Sequence, residues 1–250
     1  MTAIAALRLD PSLAAKTHEC TSLGNGRVGA YVNRVVRIQD DNQDKVPHGI
    51  LSMGRAIEVS CNAYFAQLGT YDLGAQPLID TAAMLGIRVA RPNTGAVLKP
   101  QLPQASYGQG QVVAQPLQMA LVAAAIANRG TIPPRFDDAG LPTSGPVRIL
   151  PPDLAAKLAG FMRAAVVSGT GRSLAGNKVL IAGKTGTAQI GSRADPQISH
   201  AWFVGFAPYG DRVGRKIAFA VIVEHGGYGG TAAAPIAGAL IDAARELGLL

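Results

Sequence analysis

A chain of 250 residues that is 48% hydrophobic and 16% charged can bury a substantial core, which excludes a disordered or fibrous class. The formal charge of +7 does not indicate nucleic acid, because the arginines stand singly and only 5% of residues are aromatic, too few to stack bases. Two cysteines are too few for a disulfide scaffold, and the longest apolar run, Met119 to Ala127, is too short to span a bilayer.

In chain order, Thr2 to Leu9 is apolar and Ala-rich and reads as the tail of a helix that stops at Asp10-Pro11. Gly24 to Lys45 mixes glycines, short β-branched pairs and the polar run Gln39 to Asp44, and reads as an irregular loop with one hairpin. From Met53 through Ala56, Ile57, Ser60, Cys61, Tyr64, Phe65 and Leu68 the apolar spacing is helical. Pro77 to Leu85 and Pro116 to Asn128 are helices with Pro at the start and Gly86 or Gly130 at the end; the second is apolar enough to be central and buried. Pro152 to Val167 is amphipathic, with Leu154, Leu158, Phe161, Met162 and Ala165 on one side.

Three strands follow, Val179 to Gln189, His200 to Ala207 and Lys216 to Val223, the last two joined as a hairpin by Pro208-Tyr-Gly-Asp211. Thr231 to Leu247 is the closing helix, with Thr231 as N-cap. Helices first and an antiparallel meander afterwards specify an α+β fold, an antiparallel sheet flanked by helices, and with no internal repeat the chain reads as one domain. Cys20 and Cys61 read as small buried residues, and His18, His48, His200 and His225 form no ligand pair, so no metal and no cofactor is expected.

Two motifs carry chemistry. The apolar run at Val179 feeds into Lys184-Thr185-Gly186-Thr187, which places a cation, hydroxyls and close-approach glycines, Gly183 and Gly186, at one strand edge, a combination suited to gripping a peptide carboxylate. Upstream lies Ser60-Cys61-Asn62. On a continuous helix Ser60 and Asn62 would point about 200° apart and could not converge on one ligand, and Ser60 would be a small residue on a core face. Tyr107-Gly-Gln-Gly110 lacks the Lys-Ser/Thr ending of a phosphate-binding loop and reads as a turn; Gly226-Gly-Tyr-Gly-Gly230 reads as a flexible connection.

With Pro116-Leu-Gln-Met-Ala-Leu-Val-Ala-Ala-Ala-Ile-Ala-Asn128 and His200-Ala-Trp-Phe-Val-Gly-Phe-Ala-Pro208, these phrases resemble, in order from Met1 to about Gly230, the transpeptidase domain of class B penicillin-binding proteins. The third motif of that family, Ser-x-x-Lys with the nucleophile, has no counterpart: no Ser or Thr has a Lys three residues on, and Ser12 with Lys16 has the wrong spacing and sits in a turn. A continuation like Met1 to Ser12 follows the nucleophile closely in the family, so the resemblance implies a partial domain, residues 1–250, lacking its first strands and the start of the nucleophile helix and holding about three of five strands.

The resemblance implies a break near Val59 to Asn62 despite the smooth pattern, because Ser-x-Asn lies in a short connection between two helices in that family, and it also implies roles. Ser60 would relay a proton to the leaving amine, Asn62 would bond the acyl side-chain amide, Lys184 and Thr185 would hold the substrate carboxylate and help move protons, and the amide of Thr187, just past Gly186, would be an oxyanion donor. The implied reaction is cofactor-free acyl transfer from D-Ala-D-Ala stem peptides of peptidoglycan. β-Lactams and a membrane glycosyltransferase are implied as partners and nucleic acid is not. The implied location is the extracytoplasmic membrane face, although the N-terminus shows no signal pattern or anchor. Two alternatives stay open: a noncatalytic peptide-carboxylate binder, and a serine β-lactamase or DD-carboxypeptidase.

Overall fold

The computed structural model describes residues 1–137, 139–190, 198–210 and 214–250, which form two compact units, Met1–Ala114 and Gln115–Leu250. In the first unit α1 (Thr2–Leu9) ends where expected, and Asp10 accepts the amide of Ser12 to open a short 3₁₀ turn, Pro11–Ala14. Ser12 therefore lies in a turn, and Lys16 is committed to Asp72 at 3.1 Å. The segment read as a loop is more regular than its composition suggests. β1 (His18–Gly24), β2 (Arg27–Val32), β3 (Val36–Gln39) and β4 (Gly49–Leu51) form an antiparallel sheet in the order β3-β2-β1-β4. Tertiary burial overrides weak local propensity here: Val32 and Ile38 pack against Ala66 and Tyr107.

The helical run breaks where the paired use of Ser60 and Asn62 demands. α2 (Met53–Val59) stops at Ser60, in the left-handed conformation at φ 62, ψ 41, and α3 (Asn62–Gln67) restarts behind Cys61. α3 passes into a π-helical segment, Leu68–Leu73, followed by α4 (Ala75–Met84), α5 (Gly95–Leu98) and α6 (Leu102–Ala105). α1 packs on α4 and the π segment, so Ile4, Leu7, Leu68 and Leu78 are fully buried. Each such side chain contributes about 1.5–3 kcal/mol.

In the second unit α7 (Pro116–Ala127) buries only Val122, Ala123, Ala125 and Ile126, while Leu117 is exposed, so the helix is less central than its uniform hydrophobicity implies. Two short ladders follow, β5 (Thr131–Ile132) with β8 (Val147–Arg148) and β6 (Arg135–Phe136) with β7 (Pro142–Ser144). α8 (Pro152–Val167) has the boundaries its periodicity predicts. The main sheet is antiparallel, β9 (Ala182–Gln189), β10 (Ser199–Ala207) and β11 (Ile217–Val223), in the order β11-β10-β9. Asp211 of the predicted turn lies outside the described residues.

β9 begins three residues later than expected, at Ala182. The cause is competition for backbone partners: the Asn177 side chain takes the Val179 amide, the Tyr209 amide takes the Leu180 carbonyl, and Arg163 donates to the Ile181 carbonyl at 2.7 Å. α9 (Ala233–Glu246) closes the unit with Ala232 at its N-cap. Thr231 is not the cap, because its hydroxyl donates backwards to the Tyr228 carbonyl. The core gathers Val166, Phe203, Phe219, Ala237 and Ile241, with the Phe203 and Phe219 rings stacked at 6.1 Å.

Candidate active site

The register of the main sheet sorts the motif residues onto its two faces. Thr185 lies opposite Phe203 and Thr187 opposite Ala201, on the face that carries the core; Lys184 lies opposite Val204 and Gly186 opposite Trp202, on the other. β9 is an edge strand, so one side of its backbone is unpaired by the sheet along Lys184 to Thr187.

The Lys184 ammonium bends back onto its own strand. It donates to the Thr185 carbonyl at 2.9 Å and reaches the Thr185 hydroxyl at 3.3 Å and the Thr170 hydroxyl at 3.5 Å. The two hydroxyls are joined to each other at 2.5 Å. Burial pushes the ammonium down from its ordinary value to about 7. Lys184 is thus a desolvated cation set among the neutral oxygens of Thr185 and Thr170, and a carboxylate would offer it a stronger acceptor than these. Thr170, in the loop after α8, is the member of this network that sequence reasoning missed. A hydroxyl next to Gly171 and fourteen residues before the lysine carries no local signal.

The glycines serve packing more than ligand approach. A Cβ at Gly183 would lie 2.5 Å from the Phe203 ring, which already covers that strand position. Gly229 comes close to the motif from outside β9: a Cβ there would lie 2.3 Å from the Trp202 carbonyl and 2.6 Å from the Gly186 carbonyl. The adjacent Gly230 is similarly held against the Thr170 carbonyl, at 2.6 Å from its Cβ position. The Gly226–Gly230 stretch, read from sequence as a flexible connection, is packed at its end against the motif strand.

In the first unit the corner between α2 and α3 presents Ser60-Cys61-Asn62. Asn62 donates from its amide nitrogen to the Gln39 carbonyl at 3.1 Å. Cys61 accepts the Tyr64 amide at 3.3 Å, capping α3. Both cysteines are buried, as expected, and with Asp40 and His48 they place four potential ligand atoms within 4.8 Å of one another, a grouping that sequence spacing did not suggest. Their scattered positions hid them, since strand pairing and not local spacing brings them together. The hydrogen bond between the thiols holds Cys61 well above the ordinary thiol range and lowers Cys20 to about 6.

The sequence model of the penicillin binding protein transpeptidase domain matches residues 27–242. The chain belongs to the penicillin-binding protein transpeptidase family. It is 36% identical over 184 residues to the peptidoglycan D,D-transpeptidase PbpA of Mycolicibacterium smegmatis, covering 65% of this chain and 37% of that protein. It is 35% identical over 220 residues to PbpA of Mycobacterium tuberculosis, covering 78% of this chain and 44% of that protein. The chain thus spans less than half the length of these relatives.

Among transpeptidase family structures it is similar to the crystal structure of PBPA from Mycobacterium tuberculosis, with a TM-score of 0.70 and 29% identity, covering 98% of this chain and 60% of that one. Pseudomonas aeruginosa PBP2 in complex with WCK 5153 superposes with a TM-score of 0.74 at 25% identity, over 97% of this chain and 56% of that one. These likenesses support the α+β reading with an antiparallel sheet flanked by helices.

Proposed function

We propose that this chain is the larger part of a transpeptidase domain that recognises the D-Ala-D-Ala end of a peptidoglycan stem peptide and, with a Ser-x-x-Lys segment, transfers its acyl group. The observation that carries this reading is the desolvated ammonium of Lys184 beside the Thr185 and Thr170 hydroxyls on an edge strand. An extended peptide can add along β9 by backbone hydrogen bonding while its terminal carboxylate replaces the neutral acceptors of Lys184 and engages Thr185.

In the reaction a serine oxygen attacks the penultimate carbonyl, the leaving D-Ala amine takes a proton, and an incoming amine later displaces the serine. Ser60 is assigned the proton relay, Asn62 the acyl side-chain amide through its carbonyl oxygen, and the Thr187 amide one oxyanion donor. A nucleophile and base of the Ser-x-x-Lys kind are not among these residues, so no role in acyl attack is assigned to this sequence. β-Lactams would compete as carboxylate-bearing acyl donors, as named for the ceftriaxone and penicillin G acyl-enzyme complexes of the Mycobacterium tuberculosis relative. The place of action would be the extracytoplasmic membrane face, with a membrane glycosyltransferase as partner; among the described residues no helix is long and apolar enough to cross a membrane.

The test is binding of a D-Ala-D-Ala-terminated peptide, read from the backbone amide resonances of the chain. Shifts over Lys184 to Thr187 that vanish for the C-terminally amidated peptide and for Lys184→Ala are expected. Equal shifts with the amidated peptide would refute carboxylate recognition.

A further inference from the structure

Four side chains from separate parts of the first unit converge in its interior. Cys20 lies on β1, Asp40 directly follows β3, His48 directly precedes β4, and Cys61 is the middle residue of Ser60-Cys61-Asn62. Cys20, Asp40 and Cys61 are almost completely buried and the His48 side chain is 14% exposed. Asp40 Oδ2 is the common neighbour: Cys20 Sγ lies 3.1 Å from it, Cys61 Sγ 3.2 Å and His48 Nδ1 3.2 Å. The other Asp40 oxygen accepts the amide of Ala63 at 2.9 Å, which fixes the carboxylate and aims Oδ2 into the cluster.

Hydrogen bonds from the thiols and the ion pairs of His48 with Asp40 and, at 3.7 Å, with Asp44 hold this arrangement together, but they crowd one atom. One carboxylate oxygen cannot be well served by three groups at once, and His48 Nδ1 is buried with no aligned hydrogen bond despite its nearness to Asp40. Two sulfurs, one imidazole nitrogen and one carboxylate oxygen are the donor set of a closed tetrahedral zinc centre. With zinc–ligand bonds of about 2.0–2.3 Å, the edges of such a tetrahedron are about 3.3–3.8 Å. The three contacts around Asp40 Oδ2 already approach that length, and the widest separation in the set, 4.8 Å at most, needs to contract by about 1 Å.

We propose that Cys20, Asp40, His48 and Cys61 form a structural site for a zinc-type divalent cation in the first unit. All four positions are taken by protein, so no water is left to activate and the role is structural. Binding releases to solvent the protons held by the thiol pair and by the imidazole and forms two metal–sulfur bonds, and the imidazole binds as the neutral base. The ion would tie β1 and the β3–β4 connection to the corner that carries Ser60 and Asn62, so it would set the geometry of that corner without touching substrate. The thiolates select zinc or a similar borderline-soft ion over magnesium or calcium.

The full chain, purified without a histidine tag and dialysed, should carry one zinc per molecule by elemental analysis. Stripped and refilled with Co²⁺, it should show the intense visible bands of tetrahedral thiolate-ligated cobalt and a higher melting temperature, both reversed by a chelator. Cys20→Ser with Cys61→Ser should lose the metal and the bands; His48→Gln, which keeps both thiols, should retain weakened binding. The proposal is overturned if the wild-type chain neither holds nor is stabilised by added Zn²⁺ or Co²⁺, if the double serine variant keeps its zinc, or if Cys20 and Cys61 are isolated as a disulfide. None of these readings depends on acylation.

Discussion

Thr170 and Thr185 join their hydroxyls at 2.5 Å, so the loop after α8 is tied to the strand that bears Lys184. Thr170→Val keeps the shape and removes this bond, together with the 3.5 Å contact to the Lys184 ammonium. A loss of about 1 kcal/mol in stability is expected, the size of one net hydrogen bond. Denaturant titration checks it; an unchanged midpoint would show that the link is not stabilising.

Gly229 is confined by the backbone of the motif strand and of β10. Gly229→Ala puts a Cβ 2.3 Å from the Trp202 carbonyl, and because backbone cannot move aside cheaply a loss of about 1–3 kcal/mol is expected. Gly145→Ala is the control, since nothing lies within 4 Å of its Cβ position. Equal melting temperatures for the two variants would mean that the Gly226–Gly230 stretch yields after all.

Lys184 gives the chain a defined pH response. Below about 7 the folded and unfolded chains both hold the proton and the cost of burying the cation is fully felt. Between about 7 and the ordinary 10.5 the unfolded chain binds more protons than the folded one, so stability rises with pH across that window. Carboxylate binding runs the other way and weakens as the ammonium is lost. Lys184→Met should abolish both trends, and a wild-type stability that falls across the window would contradict the desolvation of this residue.

β11 has the sequence Ile-Ala-Phe-Ala-Val-Ile-Val and occupies an edge of the sheet, with neither charge nor proline to protect it. Concentration-dependent association is expected in sedimentation experiments and should be suppressed by a lysine at Ile222. A monomer at all concentrations would show that this edge is shielded.

The sequence revealed the parts of the fold governed by periodicity, such as α8 and the antiparallel meander, and the motif residues Lys184, Ser60 and Asn62. The break at Ser60 was legible only through the family resemblance, which puts Ser-x-Asn between two helices; the apolar spacing itself runs smoothly through it. Relations made by tertiary pairing were hidden. Val179 to Ile181 look like strand until Asn177, Tyr209 and Arg163 claim their backbone groups. Gly183 looks open to a ligand until the Phe203 ring is laid over it. His48 and Cys20 look unrelated until β1 pairs with β4.

The central claim is that Lys184 is the carboxylate-binding cation of an acyl-transfer site. Its most direct test is acylation by a fluorescent penicillin, measured as a second-order rate constant on a chain extended upstream to include a Ser-x-x-Lys segment. The unextended chain should form no adduct, because loss of a nucleophile costs on the order of a million-fold in serine enzymes. In the extended chain Lys184→Ala should slow acylation by about ten- to a hundredfold, the worth of a charge-assisted hydrogen bond, while Lys178→Ala, which lies before β9, should leave it unchanged. Equal rate constants for the two alanine variants would remove Lys184 from the site and contradict the account.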